Sequence, residues 1–230
     1  MKHDDQLEVI LSVLRHELGN SVNAVKITLD ILQENFDQFD DQKKRVYLER
    51  GSALLERQNA LVNALKSYSK FNALAATRIA VLPLWERFVK EARALAAQHQ
   101  VELSVETQLD PMDIMGDSLA LRKTLNFVLE NALEAVSQGD TARIQLIANS
   151  RADGLVLTII DNGIGMDADK LSKAAIPLFT TKPGKMGMGL PIAAKLLGEM
   201  GGEMEIDSTP AEGTRVRIWL PKIKHDSAKS

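Results

Sequence analysis

The chain has 230 residues, of which 45% are hydrophobic and 26% charged, and its formal net charge is −3. This is the composition of a soluble globular protein, and its small acidic excess does not support a nucleic-acid partner or an anionic-membrane surface. The lack of cysteine excludes a disulfide framework, a thiolate metal site and a cysteine nucleophile, and no apolar run is long enough for a membrane segment or a signal peptide. We therefore expect a cytoplasmic chain, or the cytoplasmic part of a longer one.

Two long helices are predicted first, at about residues 7–36 and 42–75. One apolar stripe of the first helix recurs at intervals of three and four residues: Leu11, Leu14, Leu18, Val22, Val25, Leu29 and Leu32. A second apolar line on roughly the opposite side is broken only by His16, Glu17 and Asn20. Two such helices cannot cover all their apolar surface by pairing with each other. The pattern therefore favours a hairpin that dimerises into a four-helix bundle, and packing onto the rest of the chain is the alternative.

The rest of the chain is predicted to form an α+β domain. Strands are predicted at residues 78–81, 101–106, 142–148, 155–160, 203–207 and 214–220. Helices are predicted at residues 85–99, 118–136 and from about 189 to the glycine pair at 201–202. Residues 110–117 are rich in turn-forming residues, and residues 166–188 lack regular periodicity. This order indicates an α/β sandwich, in which helices cover one face of a mixed sheet.

Asp161 follows the most strand-like run of the chain and is followed closely by Gly163 and Gly165. A carboxylate at the end of a buried strand can present a fixed acceptor to a flat ligand, and the glycines let that ligand approach closely. The alternative is a hairpin turn, since Asp-Gly and Asn-Gly are strong hairpin signals.

Two further features can carry chemistry. Asn131 lies inside the apolar helix predicted at 118–136, so its amide is either a satisfied core group or a ligand to something beside the helix. The segment 179–189 contains three glycines, at 184, 187 and 189, and directly precedes a helix. Backbone N–H groups and a helix N-terminus make an anion site, to which Lys182 or Lys185 can add charge.

In order, these motifs resemble the boxes of the Bergerat-type ATPases. Asn131 is similar to the N box and Asp161-x-Gly163-x-Gly165 to the G1 box. The F, G2 and G3 boxes are matched by the runs Phe179-Thr180-Thr181-Lys182, Gly187-x-Gly189-Leu190 and Gly213-Thr214. The run His16-Glu17-Leu18-Gly19-Asn20 resembles the H box of the sensor histidine kinases of two-component systems. The resemblance covers about residues 7–221.

The resemblance implies three domains: a dimerisation and histidine phosphotransfer domain at 1–76, a catalytic ATP-binding domain at 77–222 and a flexible tail at 223–230. It implies ATP and Mg²⁺ as cofactors. The partners it implies are a second copy of the chain, a response-regulator receiver domain and an upstream sensor domain or protein.

The resemblance also implies a role for each matched residue. Asp161 would accept a hydrogen bond from the adenine amino group in a pocket shaped by Gly163, Gly165 and Thr214, and Asn131 would hold Mg²⁺. A mobile lid over the triphosphate would contain Phe179, Thr180, Thr181, Lys182, Lys185, Gly187 and Gly189, with Leu190 following it.

On the first helix, the resemblance implies that His16 is the nucleophile that takes the γ-phosphoryl group. Glu17 would accept the imidazole proton or orient the ring. Asn20, one helical turn after His16, would position water for hydrolysis of a phosphorylated regulator.

Two residues depart from the family pattern. Phe127 stands where relatives usually carry a polar residue four positions before the N-box Asn, and Ser21 stands where most H boxes have a proline. Two other functions stay open. One is an ATP-driven conformational machine of the chaperone or topoisomerase type, and the other is a non-catalytic phosphotransfer or scaffold protein of the same fold.

Overall fold

The computed structural model describes residues 3–70, 76–136, 141–182 and 185–223. Within the first two helices, the description omits the side chains of residues 3–17, 57, 60–61, 64–65 and 67–70. The chain divides into two compact units. The first, the helical unit, contains Met1–Lys70 and Ile176–Met188, and the second, the sheet unit, contains Phe71–Ala175 and Gly189–Ser230. The domain boundaries at 76/77 and 222/223 stay a prediction.

The helical unit begins with the antiparallel helices α1 (His3–Glu34) and α2 (Asp41–Lys70). The first helix ends two residues before the predicted limit at residue 36, and the predicted end of the second, at residues 71–75, lies outside the described residues. Asp40 caps α2, because its Oδ1 accepts a hydrogen bond of 2.7 Å from Lys43 N. The ring of Phe39 stacks on Tyr47 with centroids 5.3 Å apart, which fixes the turn against α2.

The sheet unit contains seven strands and four helices within its described residues. In chain order they are β1 (Thr77–Ala80), α3 (Val81–Gln98), β2 (Glu102–Gln108), β3 (Asp113–Gly116), α4 (Ser118–Val136), β4 (Arg143–Ser150), β5 (Gly154–Asp161), α5 (Ala168–Lys173), α6 (Gly189–Glu199), β6 (Glu203–Thr209) and β7 (Gly213–Pro221). Five strands form one sheet in the order β2-β4-β5-β7-β6, while β1 and β3 form a separate antiparallel pair. Strand β2 runs parallel to β4 and the other neighbours in the large sheet are antiparallel, so the sheet is mixed as predicted.

Helices α3, α4 and α6 form one layer on this sheet. The central helix α4 packs against β4, β5 and β7 and contacts both other helices. Alternate residues of the central strands, such as Leu146, Leu157 and Ile218, are buried completely or nearly so on the covered face. Burial of each of these side chains stabilises the fold by about 1.5–3 kcal/mol. The prediction of helices on one face of a mixed sheet is therefore confirmed.

Three local predictions are corrected by the structure. The turn-rich segment 110–117 contains the strand β3, which pairs with β1 from Thr77↔Gly116 to Ala80↔Asp113. The segment 166–188, predicted to be irregular, contains the short helix α5. Helix α3 begins at Val81, four residues before the predicted start at residue 85, and Pro83 lies in its first turn, where a backbone N–H has no helical acceptor and its absence has little cost.

Among the described residues, none of the helices is both long and apolar enough to cross a lipid bilayer. Apart from Ile223, the tail predicted at 223–230 lies outside the described residues.

Candidate functional site

Asp161 is the last residue of β5, and its side chain is only 6% exposed. Its Oδ1 accepts hydrogen bonds from the backbone N–H groups of Gly163, at 2.9 Å, and Thr214, at 3.2 Å. Two donors on one oxygen fix the orientation of the carboxylate. The hairpin alternative for this segment is wrong, because β5 pairs with β4, which precedes it, and with β7, which begins at Gly213.

Two glycines shape the loop that follows Asp161. A Cβ atom on Gly163 would lie 2.6 Å from the carbonyl carbon and oxygen of Ala135 in α4, a distance that real Cβ atoms do not adopt. Gly165 has a φ of +61°, and a Cβ there would lie 1.9 Å from the carbonyl oxygen of Thr209. Any other residue at these two positions would push the loop away from α4 and β6. The glycines predicted from the sequence are therefore required by close backbone approach.

Ser208 belongs to this site and was not predicted from the sequence. Its hydroxyl donates a hydrogen bond of 2.9 Å to Gly213 O and accepts one of 2.9 Å from Met166 N. It also lies 2.9 Å from Thr214 Oγ1. Since a serine hydroxyl has one hydrogen, Thr214 must be the donor in that third contact.

The consequence for Thr214 is that its hydroxyl offers only acceptor capacity to any further partner. Asp161 and Thr214 are paired in register across β5 and β7, so both side chains lie on the covered face at the same end of the sheet. A carboxylate beside an accepting hydroxyl suits a ligand that donates hydrogen bonds, such as an exocyclic amino group. Ser208 directly follows the strand predicted at 203–207, and the structure pairs it with Thr214 across the β6–β7 hairpin.

Asn131 is half-buried on α4, and its Nδ2 donates a hydrogen bond of 2.9 Å to Phe127 O in the preceding turn. Among the described residues, its Oδ1 accepts no hydrogen bond. A Cβ placed on Gly189, the first residue of α6, would lie 3.5 Å from Asn131 Nδ2 and 3.5 Å from Phe127 Cδ1. The amide of Asn131 and the ring of Phe127 therefore both lie beside the N-terminus of α6.

The two groups of site residues are joined through α4. Ile164 N donates a hydrogen bond of 3.2 Å to Ala135 O, and Ala135 lies one helical turn after Asn131. The structure thus brings Asp161, Gly163, Gly165 and Thr214 together where β5 ends and β7 begins, and it brings Asn131 beside Gly189 at the start of α6, which Leu190 follows.

The donor set at Asn131 fits Mg²⁺ if a ligand completes the coordination. An amide oxygen is a hard ligand of the kind that Mg²⁺ takes. Within the part of the chain that the structure describes, no group of three or more histidine, aspartate or glutamate side chains is placed to hold a metal. The remaining ligands would therefore be phosphate oxygens and water.

Backbone hydrogen bonds connect described residues of the segment 176–188, of which residues 183–184 lie outside the description. Leu178 N donates a hydrogen bond of 3.2 Å to Gly187 O, and Phe179 N donates one of 3.2 Å to Ile176 O. Thr180 Oγ1 accepts from Lys182 N at 3.1 Å. The side chains of Thr180, Thr181 and Lys185 are exposed, and those of Phe179 and Lys182 are half-buried.

The predicted phosphoacceptor residues lie on α1 in the helical unit. The side chains of His16 and Glu17 are outside the described part of the chain, and Asn20 is exposed. Their roles stay predictions.

Asp167 follows the loop that contains Gly163 and Gly165 and is the N-cap residue of α5. Its Oδ1 accepts a hydrogen bond of 2.9 Å from Lys170 N and so caps α5. This backbone hydrogen bond is the main reason that the pKa of the Asp167 carboxyl lies below its ordinary value, and the Lys170 side chain lowers that pKa further.

Residues 116–224 match the family described as "Histidine kinase-, DNA gyrase B-, and HSP90-like ATPase". The chain is 26% identical over 207 residues to the C4-dicarboxylate transport sensor protein DctB of Rhizobium meliloti, covering 90% of this chain and 33% of that protein. It is 24% identical over 212 residues to the signal transduction histidine-protein kinase AtoS of Escherichia coli, covering 92% of this chain and 34% of AtoS. The chain thus spans about a third of the length of these relatives.

Solved structures show the same fold. The nucleotide-free catalytic domain of histidine kinase ThkA is 20% identical with a TM-score of 0.58, covering 65% of this chain and 97% of that domain. The structure of ThkA in complex with the response regulator protein TrrA has a TM-score of 0.64 at 18% identity, covering 96% of this chain and 64% of that one.

Proposed function

We propose that this chain phosphorylates itself with ATP and passes the phosphoryl group to a response regulator. The premise is that the chain belongs to the sensor histidine kinases, with an ATPase domain of the matched family at residues 116–224. The observation that carries the proposal is the acceptor pair of Asp161 and Thr214, with the Asp161 carboxylate held by two backbone N–H groups. Such a pair suits the amino group of adenine, which donates hydrogen bonds.

The phosphate end of the nucleotide is assigned to α6 and the preceding loop. The N-terminus of an α-helix with free N–H groups binds anions, and α6 begins at Gly189, which has no side chain. By resemblance to the family, Lys182 and Lys185 of the loop would supply positive charge. Asn131 would hold Mg²⁺ through its Oδ1, and the ion would offset phosphate charge when bound.

Phosphoryl transfer would begin at His16. One imidazole nitrogen attacks the γ-phosphorus in line, the bond to the β,γ-bridging oxygen breaks, and ADP leaves with that electron pair. The imidazole proton passes to the Glu17 carboxylate, one residue along the helix. The product is a phosphohistidine. An aspartate carboxylate of the regulator then attacks its phosphorus, and the histidine nitrogen leaves.

The same face of α1 is assigned a second activity. Asn20 lies one turn after His16 and is exposed. An amide is not a base at neutral pH, but it can orient water for attack on a phospho-aspartate that lies close to His16. We therefore assign to Asn20 the hydrolysis of the phosphorylated regulator.

The proposed active form is a homodimer. Apolar residues at seven-residue spacing on α1 and α2 are left uncovered in a single chain: Val22 (53% exposed), Leu29 (47%), Leu48 (54%), Leu55 (49%) and Val62 (37%). Seven-residue spacing is the pattern by which helices pack into bundles, so a second hairpin would cover these residues. An upstream sensor domain or protein is proposed as the source of the signal.

The test is incubation of the purified chain with γ-labelled ATP, followed by mapping of the labelled residue. We expect label on His16 that is stable to base and labile to acid, and no label in His16→Ala. The matched control is His99→Ala, because His99 is an exposed histidine at the end of α3 and should not affect labelling. Label that persists in His16→Ala, or ATP hydrolysis without protein label, would contradict the proposal.

A further inference from the structure

We propose that Phe127 makes nucleotide binding by this chain only weakly dependent on Mg²⁺, because its ring stands where an oxygen ligand could lie one turn before Asn131. The inference rests on the proposed function, since it concerns the phosphate end of the same nucleotide site. It identifies Phe127 as a specificity-determining residue for the metal complex of the ligand.

The position of the Phe127 ring is defined by Gly189. A Cβ on Gly189 would lie 3.5 Å from Phe127 Cδ1, 3.7 Å from Phe127 Cβ and 3.5 Å from Asn131 Nδ2. The two side chains therefore flank one point at the N-terminus of α6, where the phosphates are proposed to bind. One of the two is an amide and the other is an aromatic hydrocarbon.

A phenyl ring cannot serve as a ligand to Mg²⁺, which takes oxygen atoms in near-octahedral geometry. The other amide nearby, Asn126, is five residues before Asn131 and about 140° from it around the helix, so it lies on a different side. Glu130 is exposed and about 100° from Asn131. In the helical turn that precedes Asn131, α4 therefore offers no second oxygen ligand beside Gly189.

The Asn131 amide is also constrained. Its Nδ2 is held by Phe127 O at 2.9 Å, so Oδ1 is the atom that can face a metal. A single neutral oxygen adds little to the binding of an ion that keeps several waters. The adenine end and the N–H groups of α6 would then supply most of the affinity, and these interactions do not require a metal.

The experiment measures the dissociation constant of ADP for the full chain by calorimetry, once with excess Mg²⁺ and once with excess EDTA. We expect the ratio of the two constants to be below about threefold for the wild type. Phe127→Asn places a second amide one turn from Asn131, and we expect its ratio to rise to about tenfold, in the range seen for partners of metal ligands. Binding of Mn²⁺ to the ADP-loaded chain, followed by water-proton relaxation, should tighten by a similar factor.

Phe127→Leu is the matched control, because it keeps an apolar side chain and should leave the ratio as in the wild type. Thermal melting of each variant shows whether the α4–α6 contact is intact.

A wild-type ratio of tenfold or more would overturn the inference. If Glu134→Gln then lowered that ratio, the metal would be assigned to Glu134, three residues after Asn131. An unchanged ratio in folded Phe127→Asn would also overturn it. No ADP binding in either buffer would overturn the proposed function, and this inference with it.

Discussion

At the scale of single residues, the proposed recognition of adenine depends on which atoms can only accept hydrogen bonds. The hydroxyl of Ser208 gives its one hydrogen to Gly213 O, which obliges the Thr214 hydroxyl to donate to Ser208. The direction in which the Thr214 hydroxyl donates is thus set by Ser208, a residue that need not contact the nucleotide. Asp161 needs no such assistance, because a carboxylate near neutral pH is an acceptor only.

Asp161→Asn should weaken ADP binding about tenfold to a hundredfold, which is the value of losing a charge-assisted hydrogen bond of about 1.5–3 kcal/mol. The two backbone N–H groups at Oδ1 would keep the amide oxygen of the variant in that position. Its NH₂ group would then take the position of the other carboxylate oxygen and oppose the adenine amino group, donor against donor. Calorimetric titration measures the loss.

Asp153→Asn is the control for this change, since Asp153 is an exposed aspartate in the turn before β5. It should bind ADP as the wild type does. Equal affinity of Asp161→Asn and wild type would show that Asp161 only organises the turn.

Asn20→Ala should keep autophosphorylation and forward transfer but lose dephosphorylation of the regulator. Glu17→Ala should do the reverse and slow the kinase step, because it removes the group that takes the imidazole proton. The measurement is the decay of labelled regulator after ATP has been removed. Asn23 is also exposed on α1, so Asn23→Ala is the control, and with it the labelled regulator should decay at the wild-type rate. If the regulator label decayed as fast with Asn20→Ala as with the wild type, Asn20 would have no role in this hydrolysis.

At the scale of elements, α1 and α2 divide their apolar residues between two uses. Thr28 and Leu32 of α1 are buried within the single chain, and Gly51 of α2 is buried as well. The residues at seven-residue spacing, such as Leu48 and Leu55, stay about half exposed. An uncovered apolar stripe of this regularity indicates an interface.

Leu48→Lys should convert the proposed dimer into a monomer, because a charge would be buried at the proposed bundle interface. Val46→Lys is a matched control, since Val46 has the same exposed fraction, 54%, but lies about 200° around the helix from Leu48. Sedimentation velocity at micromolar concentration distinguishes the two. A monomeric wild type, or equal effects of the two substitutions, would be inconsistent with a dimer through this stripe.

At the scale of the whole molecule, the sheet unit has its own hydrophobic core, formed by the covered face of the sheet and the helices α3, α4 and α6. Asn131 and the residues assigned to adenine binding lie within this unit, whereas His16 lies in the helical unit. Binding and phosphoacceptance are therefore assigned to separate parts of the chain.

A chain that begins at Thr77 should fold as a monomer and bind ADP, but should not phosphorylate itself, because it lacks His16. Its ADP affinity should lie within about threefold of that of the full chain, which corresponds to about 0.65 kcal/mol. Calorimetry and sedimentation measure these properties, and full-length His16→Ala is the control for binding without a phosphoacceptor. A truncated chain that is unfolded, or folded without ADP affinity, would contradict the separation.

By itself, the sequence determined the elements whose signals are local. Helix α4 begins at Ser118 and ends at Val136 as predicted, because an apolar pattern and its flanking residues define a helix within one segment. The alternation of apolar residues likewise located β4 and β5 within about two residues. The order of the motifs around Asp161 and Asn131 was enough to predict a nucleotide site.

Only the tertiary structure decided features that depend on partners distant in the chain. Strand β3 exists because it pairs with β1, more than thirty residues earlier, and its own residues resemble turns. The hydroxyl direction of Thr214 depends on Ser208 through the register of two strands, and Phe127 lies beside Gly189 because α6 packs beside α4. A local pattern specifies what a segment can form, but the packing of segments decides which atoms meet.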